Sequence, residues 1–193
     1  MRAPQPASRA PSPTRILDAA RTLVARGGAA DISVGDVAAG ADVSKALVLY
    51  HFRDKDSLLL ALVEDVGHAV LDREERAIVA QGQSHALDDY WGWLEGELAR
   101  GDLRILLSLA DCDSERVRDA ARRIARARRA LAARHVTVIF DRLGLAPRMP
   151  AALLAETLAA FVDGLAASRS LEPERDPRPA FDALWLALLT LAE

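Results

Sequence analysis

Apolar residues recur along this chain at three- and four-residue spacings, the period of helices packed on one side. Leu58, Leu59, Leu62, Val63, Val66, Val70 and Leu71 keep that period, predicting a long helix from Asp54 to about Ala80 that Gly82 ends. Upstream, Ser12 as cap and Pro13 at a favoured first position open a helix running to about Ala25, with Gly27-Gly28 as its stop. Ser33, with Asp36 three residues on in a capping-box-like spacing, opens a short helix whose inward side is Val34, Val37 and Ala38. Ser44 caps a third helix, in which Val48 and Phe52, four apart, face inward. Further helices are expected near 84–100, 102–111, 114–143, 150–169 and 178–192, with Val117, Ala121, Ile124, Leu131 and Val138 as the inward stripe of the third of these. Gly144, Pro147 and Pro150, then Pro173, Pro177 and Pro179, separate the last three. No segment alternates as a strand and no internal repeat is evident, so the fold class is all-α. The expected organisation is a flexible arm over 1–12, a three-helix domain over 13–62 and a helical body over 63–193, joined by a connecting helix over about 55–80.

The segment from Gly40 to Phe52 has the layout of a helix-turn-helix: a bracing helix, a tight turn at Asp42, and a second helix capped by Ser44. Aspartate tolerates left-handed backbone better than most residues other than glycine, which suits Asp42 to the turn. In a major groove, Lys45 can donate to guanine O6 and N7, Leu47 can pack on a thymine methyl, and Tyr50 and His51 reach phosphates, as does Lys55 at the start of the next helix. The expected DNA-contacting set is Thr14, Ser33, Ser44, Lys45, Ala46, Leu47, Tyr50, His51 and Lys55.

A net charge of −3 over 193 residues looks wrong for such a role. The conflict disappears on splitting the chain: residues 1–55 carry eight Lys+Arg against five Asp+Glu, leaving 17 against 23 for residues 56–193. The basic excess sits where DNA is expected. Arg2 and Arg9 of the arm are candidates for an adjacent minor groove. The arginines from Arg116 to Arg134 offer a rival basic helix, but Glu115 and Asp119 accompany them, which is the pattern of a solvated face. Cys112 is the only cysteine, so an intrachain disulfide is excluded, and a reducing cytoplasm is the expected setting. No stretch reads as apolar and long enough to span a membrane.

Residues 14–62 resemble the N-terminal domain of the tetracycline-repressor (TetR) family of bacterial regulators. The match runs through Arg15-Ile16-Leu17-Asp18-Ala19-Ala20, Gly27, Ser33-Val34-Gly35-Asp36-Val37-Ala38, Val43-Ser44-Lys45, His51-Phe52 and Lys55-Asp56-Ser57-Leu58-Leu59, in family order and spacing. Three positions depart from the family's habit: Asp42 stands where glycine is common, Leu49 where a tyrosine usually meets phosphate, and Leu47 where threonine is frequent. Tyr50 is the substitute for the missing tyrosine. The resemblance implies a homodimeric repressor of a palindromic operator, released by a small-molecule effector bound in the C-terminal body, with no cofactor; the scattered histidines and one cysteine have no metal-ligand spacing, so no metal is expected.

For the twofold interface, helical spacing offers Leu158, Phe161, Leu165, Phe181, Trp185 and Leu188. For the effector, Tyr90, Trp91, Trp93 and Phe140 are apolar candidates, and Arg104, Cys112 and His135 polar ones. Two other classes compete. A binding or scaffolding module that has lost DNA recognition is kept open by Leu49 and Asp42, and a helical-bundle enzyme would need a nucleophile elbow, phosphate loop, metal pair or carboxylate cluster, none of which is present in the sequence.

Overall fold

The structure, a computed structural model, describes residues 13–80, 85–190 and 192. The Ser12 cap, Arg2 and Arg9 of the arm, and the Gly82 stop lie outside the described residues. Helices follow one another as α1 (Pro13–Gly27), α2 (Val34–Gly40), α3 (Lys45–Phe52), α4 (Lys55–Ala80), α5 (Ala86–Arg100), α6 (Asp102–Ala110), α7 (Glu115–Leu143), α8 (Ala151–Leu171) and α9 (Arg178–Leu189). The described residues contain no strand, only an isolated bridge between Pro147 and Ala192.

The local signals act as their chemistry dictates. Ser33 Oγ accepts from the Asp36 amide at 3.2 Å while Asp36 Oδ2 accepts from the Ser33 amide at 2.9 Å, a reciprocal capping box. The Ser33 hydroxyl, donating to Asp36 Oδ2 at 2.6 Å, and after it the Ser33 amide hold the Asp36 carboxyl below its ordinary value. Ser44 Oγ accepts from the Leu47 amide at 3.2 Å and starts α3. Asp54 Oδ1 does the same for Ser57 at 2.7 Å ahead of α4. Asp42 adopts φ 54, the left-handed conformation expected of the turn, and Arg53 adopts φ 63 at the break between α3 and α4.

The core is continuous from the N-terminal lobe into the body, because α4 takes part in both. Ile16, Ala20 and Val24 of α1, Val37 of α2 and Val48 of α3 meet Leu58, Leu59 and Leu62 at the start of α4. Val63, Val66 and Val70 then carry α4 into the body. Gly67 marks its close crossing with α7: a Cβ there would lie 2.6 Å from Ile124 Cγ1. Beyond Ile124 the buried side of α7 runs through Arg128, Ala132, His135, Val136 and Ile139, while Leu131 and Val138 are only partly covered. The expected stripe is therefore corrected after Ile124. Two polar residues occupy it, and a search for apolar periodicity passes over them.

Polar groups lock the lobe to the body. Arg21 of α1 forms a fork to Asp102 at the start of α6, with N–O distances of 3.0 and 2.9 Å. Arg73 of α4 bridges the same carboxylate at 2.7 Å and Glu97 of α5 at 2.5 and 2.8 Å. Glu97 and Asp102 are almost completely buried. Paired carboxylates hold the Arg73 guanidinium above its ordinary value. The Ala29 amide donates to Ser108 Oγ at 2.8 Å, Arg104 donates to the Ala25 carbonyl, and Ser114 Oγ donates to Asp56 Oδ2 at 2.7 Å.

Candidate nucleic-acid interface and the buried polar cluster of the body

On α3, Val48 is buried and Phe52 packs against the core, so the helix is held by one side. Ser44, Lys45 and Ala46 face solvent at its N-terminal end, with Leu47 and His51 half-buried beside them. Tyr50 is 80% exposed, an unusual exposure for a residue that buries well elsewhere, and its ring meets His51 edge-on at 5.3 Å. Leu49, at the position of the absent tyrosine, is 37% exposed. Thr14 at the start of α1 and the Ser33 cap are exposed. Lys55 is half-buried, and its ammonium donates to the Ala30 carbonyl at 2.8 Å, so the loop ahead of α2 already holds it. Sequence reasoning gave Arg15 no contact role; its guanidinium donates to the Ala41 carbonyl at 2.8 Å and ties α1 to the turn.

In the body, three of the seven effector candidates come together. The ring centroid of Tyr90 lies 5.2 Å from Trp93 and 4.8 Å from His135, and Phe181 and Trp185 of α9 are each 6.0 Å away. Trp91, the next residue on α5, lies against the same Phe181 at 5.0 Å and under the Arg178 guanidinium at 5.2 Å. Arg104 and Cys112 are corrected as members of one pocket. The first is tied to the end of α1, and the second is buried in the α6–α7 turn, its thiol directed at the Ser114 carbonyl at 3.8 Å. Phe140 is buried in the core on α7.

The structure adds a group that sequence reasoning missed. Glu74 continues the inward stripe of α4 one turn beyond Val70, 2% exposed, with Oε1 4.0 Å from His135 Nε2. Burial pushes its carboxyl up to about 7, Glu97 and Asp163 add to the rise, and Arg128 opposes it. Burial and the Arg134 charge hold His135 down to about 3, so the ring is neutral, while burial lifts the Tyr90 hydroxyl. Arg128 is committed to Asp163 of α8 at 2.8 Å. Four buried polar atoms here, Glu74 Oε2, Trp93 Nε1, Trp185 Nε1 and Arg128 Nε, have no hydrogen-bond partner among the described residues. The only signal for Glu74 in the sequence is its place, four residues after Val70.

The dimer candidates are also redistributed. Leu158, Phe181, Trp185 and Leu188 are at most 4% exposed within one protomer, so they have no area left to bury against a second copy. This corrects the assignment of these four, which pack on their own body. Phe161 and Leu165 remain partly exposed. Leu153 and Leu186, at 47% and 69% exposed, lie on the outward sides. The reading that no stretch could span a membrane is likewise corrected. Ala151–Arg169 is long and apolar enough by length and composition, with mean hydropathy 1.4, and 28% of that stretch is buried.

A capped recognition helix on a three-helix lobe, carried by a long helix into a helical body, defines the class: a helix-turn-helix regulator fold. Residues 16–62 match the tetR family of bacterial regulatory proteins, a match confined to the N-terminal three-helix lobe and the start of α4. The whole fold is shared with solved regulators. A transcriptional regulator from Rhodococcus sp. Rha1 superposes with TM-score 0.74 at 23% identity, covering 94% of this chain and 97% of that one. SmeT in complex with triclosan gives 0.71 at 23% identity, covering 91% and 90%. NalD, the secondary repressor of the MexAB-OprM multidrug efflux pump in Pseudomonas aeruginosa, gives 0.61 at 22% identity, covering 93% and 96%. No curated protein sequence matches the chain.

Proposed function

We propose that this protein is a homodimeric, sequence-specific repressor of transcription, working in the cytoplasm and released from a palindromic operator by a small molecule bound in its body. The observation that carries the reading is the presentation of Ser44, Lys45, Ala46 and Tyr50 on the exposed side of a helix whose opposite side is fixed by Val48. Residues 13–62 serve as the reading domain and 63–193 as the sensing and dimerising one. The uncovered apolar side of α8, with Leu153 and Phe161, and Leu186 of α9 supports twofold association, which one short recognition helix needs in order to cover enough base pairs. SmeT holds triclosan and NalD is a repressor, and both lend support to a ligand-released repressor on this fold.

Release follows from α4. The helix begins beside the recognition helix and carries Arg73 and Glu74 in the body, so a ligand that moves this end changes the spacing of the two recognition helices. A preference of ~3 kcal/mol for the non-binding form weakens operator affinity about a hundredfold.

Selection of random duplex DNA on the purified protein, at two salt concentrations and with Lys45→Ala, tests the reading. A palindrome with steep salt dependence that the variant no longer selects is expected. Absence of any enriched sequence would favour a scaffold that has lost DNA recognition.

A further inference from the structure

A carboxylate inside a protein is normally paired or hydrogen-bonded, because leaving it bare costs several kcal/mol. Glu74 Oε2 has no hydrogen-bond partner among the described residues. Beside it lies His135, whose ring packs with those of Tyr90 and Trp93, with Trp185 against Tyr90, and the indole N–H groups of both tryptophans have no acceptor among the described residues. A core assembled only for packing would have filled these positions with apolar groups. Such a set of vacant donors and one vacant acceptor among ring faces has the composition of a ligand site that has closed on itself.

Trp93 also gives the cluster an outside. The residue lines an open groove of ≈ 610 Å³ between α4 and α5, together with Arg73, Gly92, Gly96 and Glu97. Gly92 leaves the wall bare, since a Cβ there would meet nothing within 4 Å. The groove's volume falls in the range of small-molecule sites, roughly 300–1,000 Å³. Rotation of the Trp93 ring would join groove and cluster.

Resting on the regulator reading above, we propose that Glu74, Tyr90, Trp93 and Trp185 form the effector site, and that it takes a monovalent organic cation with a flat apolar body, admitted from the α4–α5 groove. The charges facing Glu74 from every neighbouring element decide the sign of the ligand. Arg128 of α7, the strongest of them, is paired with Asp163 of α8, Glu97 of α5 is paired with Arg73 of α4, and His135 of α7 is neutral, so Glu74 is the acid of this cluster without an ion-pair partner among the described residues. An anion would meet this carboxylate, and a neutral hydrocarbon would leave it bare. A cation pairs with it while its body stacks on the rings, whose faces are negative. The indole N–H groups are left to bind an acceptor on the ligand's rim.

The test uses the full chain and two permanently charged probes, benzyltrimethylammonium and its naphthylmethyl analogue, each beside the uncharged isostere in which carbon replaces nitrogen. Calorimetry and quenching of tryptophan emission read binding. The cations are expected to bind at least about tenfold more tightly than the isosteres, and Glu74→Gln, which keeps the shape and removes the charge, is expected to erase that ratio. Equal binding of cation and isostere, no binding of either cation, or an undiminished ratio in Glu74→Gln overturns the proposal. The ratio in the parent chain decides the matter by itself if the variant does not fold. Operator selection in the absence of probes separates this inference from the one beneath it: a palindrome without cation preference removes only the effector assignment, and cation preference without a palindrome removes only the regulator reading.

Discussion

The N-terminal lobe and the body handle polar residues in opposite ways. In the lobe, Lys45 and Tyr50 are turned to solvent, and Ser33 and Ser44 spend their hydroxyls on helix starts, so the core beneath them is apolar. In the body, Glu74, Glu97, Asp102, Arg128 and His135 are buried. A surface that meets a polyanion needs donors standing in water until the partner arrives, whereas a body that senses and transmits needs polar groups whose pairing can change. The difference also separates what is stable from what is poised: Asp102 is saturated by two guanidinium groups, and Glu74 Oε2 has no hydrogen-bond partner among the described residues.

That contrast can be broken at its saturated end first. Asp102→Ala leaves Arg21 and Arg73 facing a vacancy and releases α1 from α6. A loss of about 3 kcal/mol is expected in chemical denaturation, toward the low end for a buried pair because Arg21 is about a third exposed. A loss below about 1 kcal/mol would mean that the lobe is held to the body by apolar packing alone.

At the poised end, pH separates two groups that oppose each other. His135 stays neutral down to about 3 in the folded chain and takes a proton near its ordinary 6.5 when unfolded, so stability rises with pH through that window. Glu74 keeps its proton up to about 7 when folded and loses it near its ordinary 4.5 when unfolded, so its contribution is present below 4.5 and lost as pH rises through 7. Between 4.5 and 6.5 the contributions of these two groups are expected to offset each other. His135→Gln should expose the falling slope, about 1.4 kcal/mol for each pH unit, and Glu74→Gln the rising one. Level profiles in both variants would show that neither group titrates with folding.

Smaller effects sharpen the lobe. Ser33→Ala and Ser44→Ala should each cost about 1 kcal/mol in thermal unfolding, since each removes the acceptor for a helix-start amide. At the bottom of the range, Arg134→Ala breaks an ion pair to Glu75 in which both side chains are about half exposed, and a change under about 0.5 kcal/mol is expected.

These two regions were also unequally legible in the sequence. Ser33, Asp36, Ser44 and the turn at Asp42 act through neighbours within a few residues, so local chemistry announces them and the structure shows the capping box and the φ of 54. Arg128 and Glu74 act through partners 35 or more residues away, with Arg128 reaching Asp163 and Glu74 lying beside His135. Charged residues on a helix read as solvent-facing, and nothing local marks these as inward. For the same reason Phe181 and Trp185, obvious as large apolar residues, carried no sign of whether they would meet their own body or a second copy. Burial in the protomer settles it for the body.

The central claim is that α3 reads DNA from a dimer, and fluorescence anisotropy on the selected duplex, repeated across a salt series with stoichiometry measured at saturation, tests it most directly. The account predicts two chains per palindrome and log affinity falling linearly with log salt concentration, with both affinity and sequence preference reduced in Lys45→Ala. One chain per duplex, or binding indifferent to salt and to Lys45, would contradict it.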